Sequence, residues 1–155
     1  MILDALGILC DAQAFTVTGG LSTNTFDCGN VTPKRQIGDG RPVGVFIAVD
    51  VAADFTTGDE TYRFDLVQSA ADTLTTATVI ASEAYIATGA LVSTLLVAGY
   101  TMFLPIPMGM PIQRYIGLSV VMANTTPTIT ISAWVTPAFS VGVKPQTYAK
   151  AYSIL

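Results

Sequence analysis

Residues 128–135 read Thr-Ile-Thr-Ile-Ser-Ala-Trp-Val. Ile129, Ile131, Ala133 and Val135 fall on one side of an alternation, with Thr128, Thr130 and Ser132 on the other. A period of two sends one set to a core face and the other toward solvent, as in a half-buried antiparallel strand. Just before this stretch, Asn124-Thr125-Thr126-Pro127 reads as a tight turn. Further back, Ile116, Leu118, Val120 and Met122 alternate with Gly117 and Ser119. Tyr62, Phe64 and Leu66 alternate with Arg63 and Asp65, and Val43, Val45, Ile47, Val49 and Val51 with Gly44, Ala48 and Asp50. Weaker alternation covers residues 13–18, 22–28, 76–82 and 101–106. The pattern predicts about eight strands, as short alternating runs bounded by turn residues do.

Breakers separate these runs. Gly19-Gly20 divides the first two strands, residues 32–42 form a longer connection, and Gly58-Asp59 within FTTGDET predicts a hairpin turn. Residues 85–98 read as a loop holding one helical turn. No internal repeat or low-complexity linker divides the chain. The expected fold is therefore all-β: one domain over residues 1–155, a jelly-roll-like antiparallel β-sandwich. Residues 1–9 are a candidate contact arm, with an edge strand of the protein's own sheet as the other reading. Residues 138–155 form a tail with little strand pattern.

The polar positions are mostly threonine, serine, glycine and asparagine; charged residues make up 12% and histidine is absent. Absence of histidine excludes Ser-His and Cys-His nucleophilic catalysis. Asp54, Asp59 and Glu60 are the one carboxylate cluster, and their spacing lacks the ligand pattern of a calcium loop; we read them as a solvated turn. Cys10 and Cys28 match no zinc or redox spacing and are expected to be buried thiols rather than a disulfide. The chain is thus read as a non-enzyme with no cofactor and no metal. Its seven basic and eleven acidic residues leave a net charge of −4, which argues against nucleic acid as a partner, since backbone binding relies on clustered Lys and Arg. The most apolar stretch, residues 89–99, is well short of the roughly 20 residues that a membrane-spanning helix requires, and the opening residues lack the basic start of a secretory signal. Hydrophobic residues nevertheless reach 51%, with mean hydropathy +0.56. Contact with other protein subunits is the expected use of that surface.

Candidate contact residues follow. Ile2, Leu3 and Leu6 precede the first strand. Trp134 sits on the polar phase of its strand, which leaves it exposed, in a subunit contact, or under a covering loop. Tyr148 and Tyr152 lie in the tail, expected either to be poorly ordered or to order on a neighbour.

Two stretches carry a resemblance: residues 1–29, MILDALGILCDAQAFTVTGGLSTNTFDCG, and residues 98–122, AGYTMFLPIPMGMPIQRYIGLSVVM. Both resemble the Bbp16-family capsid cement proteins of tailed bacteriophages. Ile2-Leu3-Asp4 and Asp11-Ala12-Gln13-Ala14 share the family's spacing, and the second stretch shares a Gly-Tyr-Thr lead, a Leu-Pro turn and an Arg-Tyr opening a strand. Cys10 stands where the family tends to have serine. The resemblance implies a jelly-roll homo-oligomer, a dimer rather than a trimer, made in the host bacterial cytoplasm. It would sit on the outer face of an HK97-type head in the virion, with the major capsid protein as partner. The rival expectation is a jelly-roll glycan-binding module of a phage tail, presenting Trp134. A small hydrolase would instead require Asp27, Asp50 and Asp65 to converge.

Overall fold

The computed structural model describes residues 5–29, 43–86, 94–107 and 111–137. A short 3-10 turn, Ala5–Gly7, leads into nine strands: β1 Ile8–Thr16, β2 Gly19–Leu21, β3 Phe26–Asp27, β4 Val43–Val51, β5 Thr61–Ser69, β6 Thr78–Ile86, β7 Thr101–Pro105, β8 Tyr115–Ala123 and β9 Thr128–Pro137. All pairings are antiparallel. The first sheet runs β1-β9-β4-β7 and the second β2-β8-β5-β6, with β3 also on β8.

This order is that of one long hairpin rolled up. The tip is β5–β6; moving outward along the ribbon, β4 pairs β7, β2 and β3 pair β8, and β1 pairs β9. Rolling the ribbon adds the β4–β9 and β5–β8 contacts and yields the two facing sheets of a jelly roll. The expected eight strands become nine because Gly19–Leu21, whose two glycines read as a breaker, forms β2, while the strand expected over residues 22–28 is reduced to β3, Phe26–Asp27.

The alternating residues meet between the sheets. Val45, Ile47, Ile129 and Ile131 from the first sheet face Phe64, Leu66, Leu118 and Val120 from the second, each at most 2% exposed. Fully burying one such side chain contributes about 1.5–3 kcal/mol. Tyr62 ties the two layers together. Its hydroxyl donates to the Asp54 carbonyl (2.7 Å) and accepts from the Thr128 amide (3.2 Å) on the opposite sheet.

Two turn readings are corrected. FTTGDET is not a hairpin turn, because β4 and β5 belong to different sheets; the connection crosses the end of the sandwich. Periodicity reports which face a residue takes and carries no record of which strand lies beside it. Gly19-Gly20 is not a breaker either. It opens β2, where Gly19 has φ +83° and lies so close to the Val120 carbonyl of β8 that a Cβ would collide with it. The turn itself uses Val17, at φ 58°. Asn124 to Pro127 does join β8 to β9, but again from one sheet to the other.

The expected arm is shortened by its last two residues. Ile8 and Leu9 belong to β1, an edge strand of the first sheet. Ile2 and Leu3, like Tyr148 and Tyr152, lie outside the described residues.

Candidate functional site

The outer face of the first sheet carries side chains from β9, β4 and β7 that point away from the core. The strand registers place Trp134 opposite Phe46, and Phe46 opposite Phe103. The result is a cross-strand aromatic row. The Trp134 and Phe46 ring centroids are 4.8 Å apart at an interplanar angle of 33°, within the range where aromatic pairs attract beyond simple burial. The row is not open to solvent. Phe46 is 1%, Ala48 2% and Trp134 4% exposed, with Phe103 half-buried beside them. Trp134 thus takes the outward phase expected of it, yet its indole is covered and its Nε1 is buried without an acceptor. Sequence reading missed the partners Phe46 and Phe103. The available signal was Phe46 itself, an aromatic on the even phase of 43–51 opposite Val43, Val45, Ile47, Val49 and Val51.

Two residues before Trp134 the same face turns polar. The Ser132 hydroxyl donates to Asp50 Oδ2 (2.6 Å) and accepts from the Ala12 amide (2.8 Å), with Asp11 Oδ1 3.4 Å away. Nearby exposed apolar groups are Val17 and Val51. Leu6 is the most exposed large hydrophobic residue described, at 77%. The outer face therefore combines a hydroxyl, carboxylates and exposed apolar groups.

Asp27, Asp50 and Asp65 are spread out, and each has a local partner. Asp27 on β3 pairs with Arg114 (2.9 Å), whose hydrogen bond holds its carboxyl below the usual range. Asp65 on β5 is 2% exposed and pairs with Arg63 (3.0 Å). Asp50 lies on the other sheet. The three do not converge on a shared cleft, as paired-carboxylate hydrolysis would require.

Asp54, Asp59 and Glu60 knit the crossing between β4 and β5. Thr56 donates to Asp54, and the Thr57 hydroxyl lies 2.6 Å from Asp59 Oδ1 and 2.7 Å from Glu60 Oε1. Glu60 is not the solvated group expected, being 0% exposed with its Oε2 unpartnered. Burial pushes its pKa up, but the Thr57 amide and hydroxyl outweigh that and hold it low. Among the described residues no group of three His, Cys, Asp or Glu is placed to hold a metal ion.

Cys10 and Cys28 are free, buried thiols. Burial pushes both up to about 12, far from the lowered range of a nucleophilic cysteine. A hydroxyl-lined cleft opens between residues 21–25 and 72–74, where Leu21, Ser22, Asn24, Asp72 and Leu74 meet. No helix is long and apolar enough to cross a membrane among the described residues.

Comparison with known proteins places a family model, Bbp16, over residues 9–135. That span runs from β1 to the last turn of alternation in β9. No curated protein matches the chain.

Proposed function

We propose, because the chain belongs to the bacteriophage-associated Bbp16 family, that it is a capsid cement protein. It binds the outer surface of an HK97-type head and clamps neighbouring major capsid subunits, so that the shell resists the pressure of packaged DNA. The family match over residues 9–135 is the observation that carries this reading, since it reaches into every described strand of the sandwich.

Physical features of the fold support it. A clamp needs a rigid body, and nine strands share one close-packed core between two sheets. It needs surface for association, and Leu6, Val17 and Val51 remain more than half exposed. It works as a homo-oligomer, with a dimer favoured; a two-fold contact presents the same patch on both partners. It carries out no reaction, takes no cofactor and has no need of nucleic acid. A glycan-binding module would present an open aromatic platform, whereas the Trp134 indole is 4% exposed.

The protein composition of purified heads tests the proposal. The chain is expected there at a copy number comparable with the shell protein. Its confinement to tails, or its absence from the particle, overturns the reading.

A further inference from the structure

The cleft between residues 21–25 and 72–74 has a volume of about 570 Å³. Its two walls meet over Gly117 of β8: a Cβ there would collide with Leu74 Cδ1 and come within 3.3 Å of Ser22 Oγ. Both walls are braced. The Ser22 amide donates to the Leu118 carbonyl (2.8 Å), and its hydroxyl accepts from the Leu118 amide (3.1 Å). That hydroxyl also donates to the Asn24 carbonyl (2.8 Å). Gln13 of β1 donates to the Leu21 carbonyl (2.9 Å) and accepts from the Thr23 amide (2.9 Å). On the other wall Ser69 Oγ accepts from the Ala71 amide (3.1 Å), and the Leu74 amide donates to the Ala71 carbonyl (3.2 Å). The cleft is therefore preformed, and its volume falls within the roughly 300–1,000 Å³ usual for small-molecule sites.

The chemistry of the lining narrows the ligand. The Asn24 carboxamide, the Thr25 hydroxyl and the Asp72 carboxylate line the cleft and make no hydrogen bond within the described residues. Together they offer amide donors, a hydroxyl that both gives and accepts, and a carboxylate that only accepts. Asp72 is the one charged residue among the described lining. A lone carboxylate repels an anion and falls short of the oxygen cage that a hard cation takes. An apolar ligand would find little to rest on, since Leu21 is 40% exposed but Leu74 only 4%. An extended peptide would add to a strand edge, yet β2 spans only Gly19–Leu21 and its last carbonyl is taken by Gln13.

We propose that this cleft is a saccharide-binding site, taking one pyranose ring through its neighbouring hydroxyls. Adjacent ring hydroxyls donate to Asp72, while Asn24 and Thr25 donate to ring oxygens and the C–H face of the ring rests on Leu21. The bonds to the carboxylate are the strong ones. With no aromatic among the described lining, affinity is weak, in the millimolar range, and the site owes nothing to the covered Trp134 face. Repeated over many copies on a head, contacts this weak would add through multivalency; binding by the isolated chain does not depend on that placement.

Two-dimensional amide NMR spectra of the full chain test the proposal, titrated with the methyl pyranosides of glucose, galactose and mannose, with N-acetylglucosamine, and with glycerol. At least one pyranose is expected to give saturable shifts centred on residues 21–25 and 72–74. Combining Asn24→Ala with Asp72→Ala should weaken that binding about tenfold or more, as loss of a hydrogen bond to a charged group does. Both side chains are exposed, so the fold should survive. Asp72→Asn, which keeps the shape and removes the charge, should weaken binding in the same direction. The absence of a saturable shift with every pyranose overturns the proposal, and so do shifts that persist in the double variant. Glycerol saturating the same amides as tightly as the pyranoses overturns it too, because the cleft would then take any small polyol.

Discussion

Leu74, in the connection between β5 and β6, rests on Gly117 of β8 so closely that a Cβ at position 117 would collide with its Cδ1. Leu74 is 4% exposed and held at φ 55°, a conformation that costs energy for a branched residue. The connection therefore folds down on the outer face of the second sheet because one strand position there has no side chain. This seating also forms one wall of the hydroxyl-lined cleft.

Gly117→Val is expected to destabilise the fold by about 1–3 kcal/mol through overpacking. Leu74→Ala in the same chain should recover part of that loss, because the two residues compete for one space. A double-mutant cycle by urea unfolding checks this. Additive losses would mean that the contact is not what seats the connection.

The Tyr62 hydroxyl joins the β4–β5 crossing to β9 on the opposite sheet. Tyr62→Phe keeps the ring and its edge-on contact with Phe55 at 5.3 Å but strands the Thr128 amide. The expected cost is about 0.5–1.5 kcal/mol, the usual net contribution of an intramolecular hydrogen bond. Equilibrium unfolding of the single variant measures it, and a neutral result would contradict the bridging role.

Stability should be flat around neutral pH and fall on both sides. With no histidine, nothing ordinary titrates near neutrality. Folding lowers the carboxyl pKa of Asp27 and Asp59 from 3.8 and of Glu60 from 4.5. Groups lowered by folding stabilise above those ordinary values, and the contribution is lost as pH drops through the folded ones. Burial raises Cys10 and Cys28 from 9.0, and Tyr62 from 10.0, to about 12. Their stabilisation is complete below the ordinary values and drains away as pH climbs toward 12. Urea midpoints across the pH range should show this plateau, and Cys10→Ala with Cys28→Ala should flatten part of the alkaline slope. A steep change near neutrality would contradict the assignment.

How far the sequence was legible can be argued from particular residues. The alternation at Ile129, Ile131 and Ala133, and at Ile116, Leu118 and Val120, gave the core-facing set directly, because strand geometry forces the period. The partner of each strand was hidden, since long-range pairing leaves no local mark; FTTGDET looks the same whether it turns within a sheet or crosses between two. Glu60 was misplaced for the same reason: a crossing that caps the sandwich end buries a residue that a hairpin tip would expose. The phase of Trp134 was readable, but its cover was not, because alternation says nothing of what lies above a sheet.

Leu6 separates folding from docking. At 77% exposure in the isolated chain, Leu6→Asp should shift the unfolding free energy by no more than about 0.5 kcal/mol, as surface substitutions usually do. Under the cement reading the same change should weaken retention of the protein on heads, measured by co-sedimentation. Loss of fold stability without loss of retention would remove Leu6 from the contact surface.

A cryo-electron microscopy map of the intact head tests the central claim most directly. The account predicts a two-layered β-sandwich on the outer surface, seated across the junction of neighbouring major capsid subunits. A shell whose outer surface carries no such density, or a particle that carries the sandwich only on its tail, would contradict it.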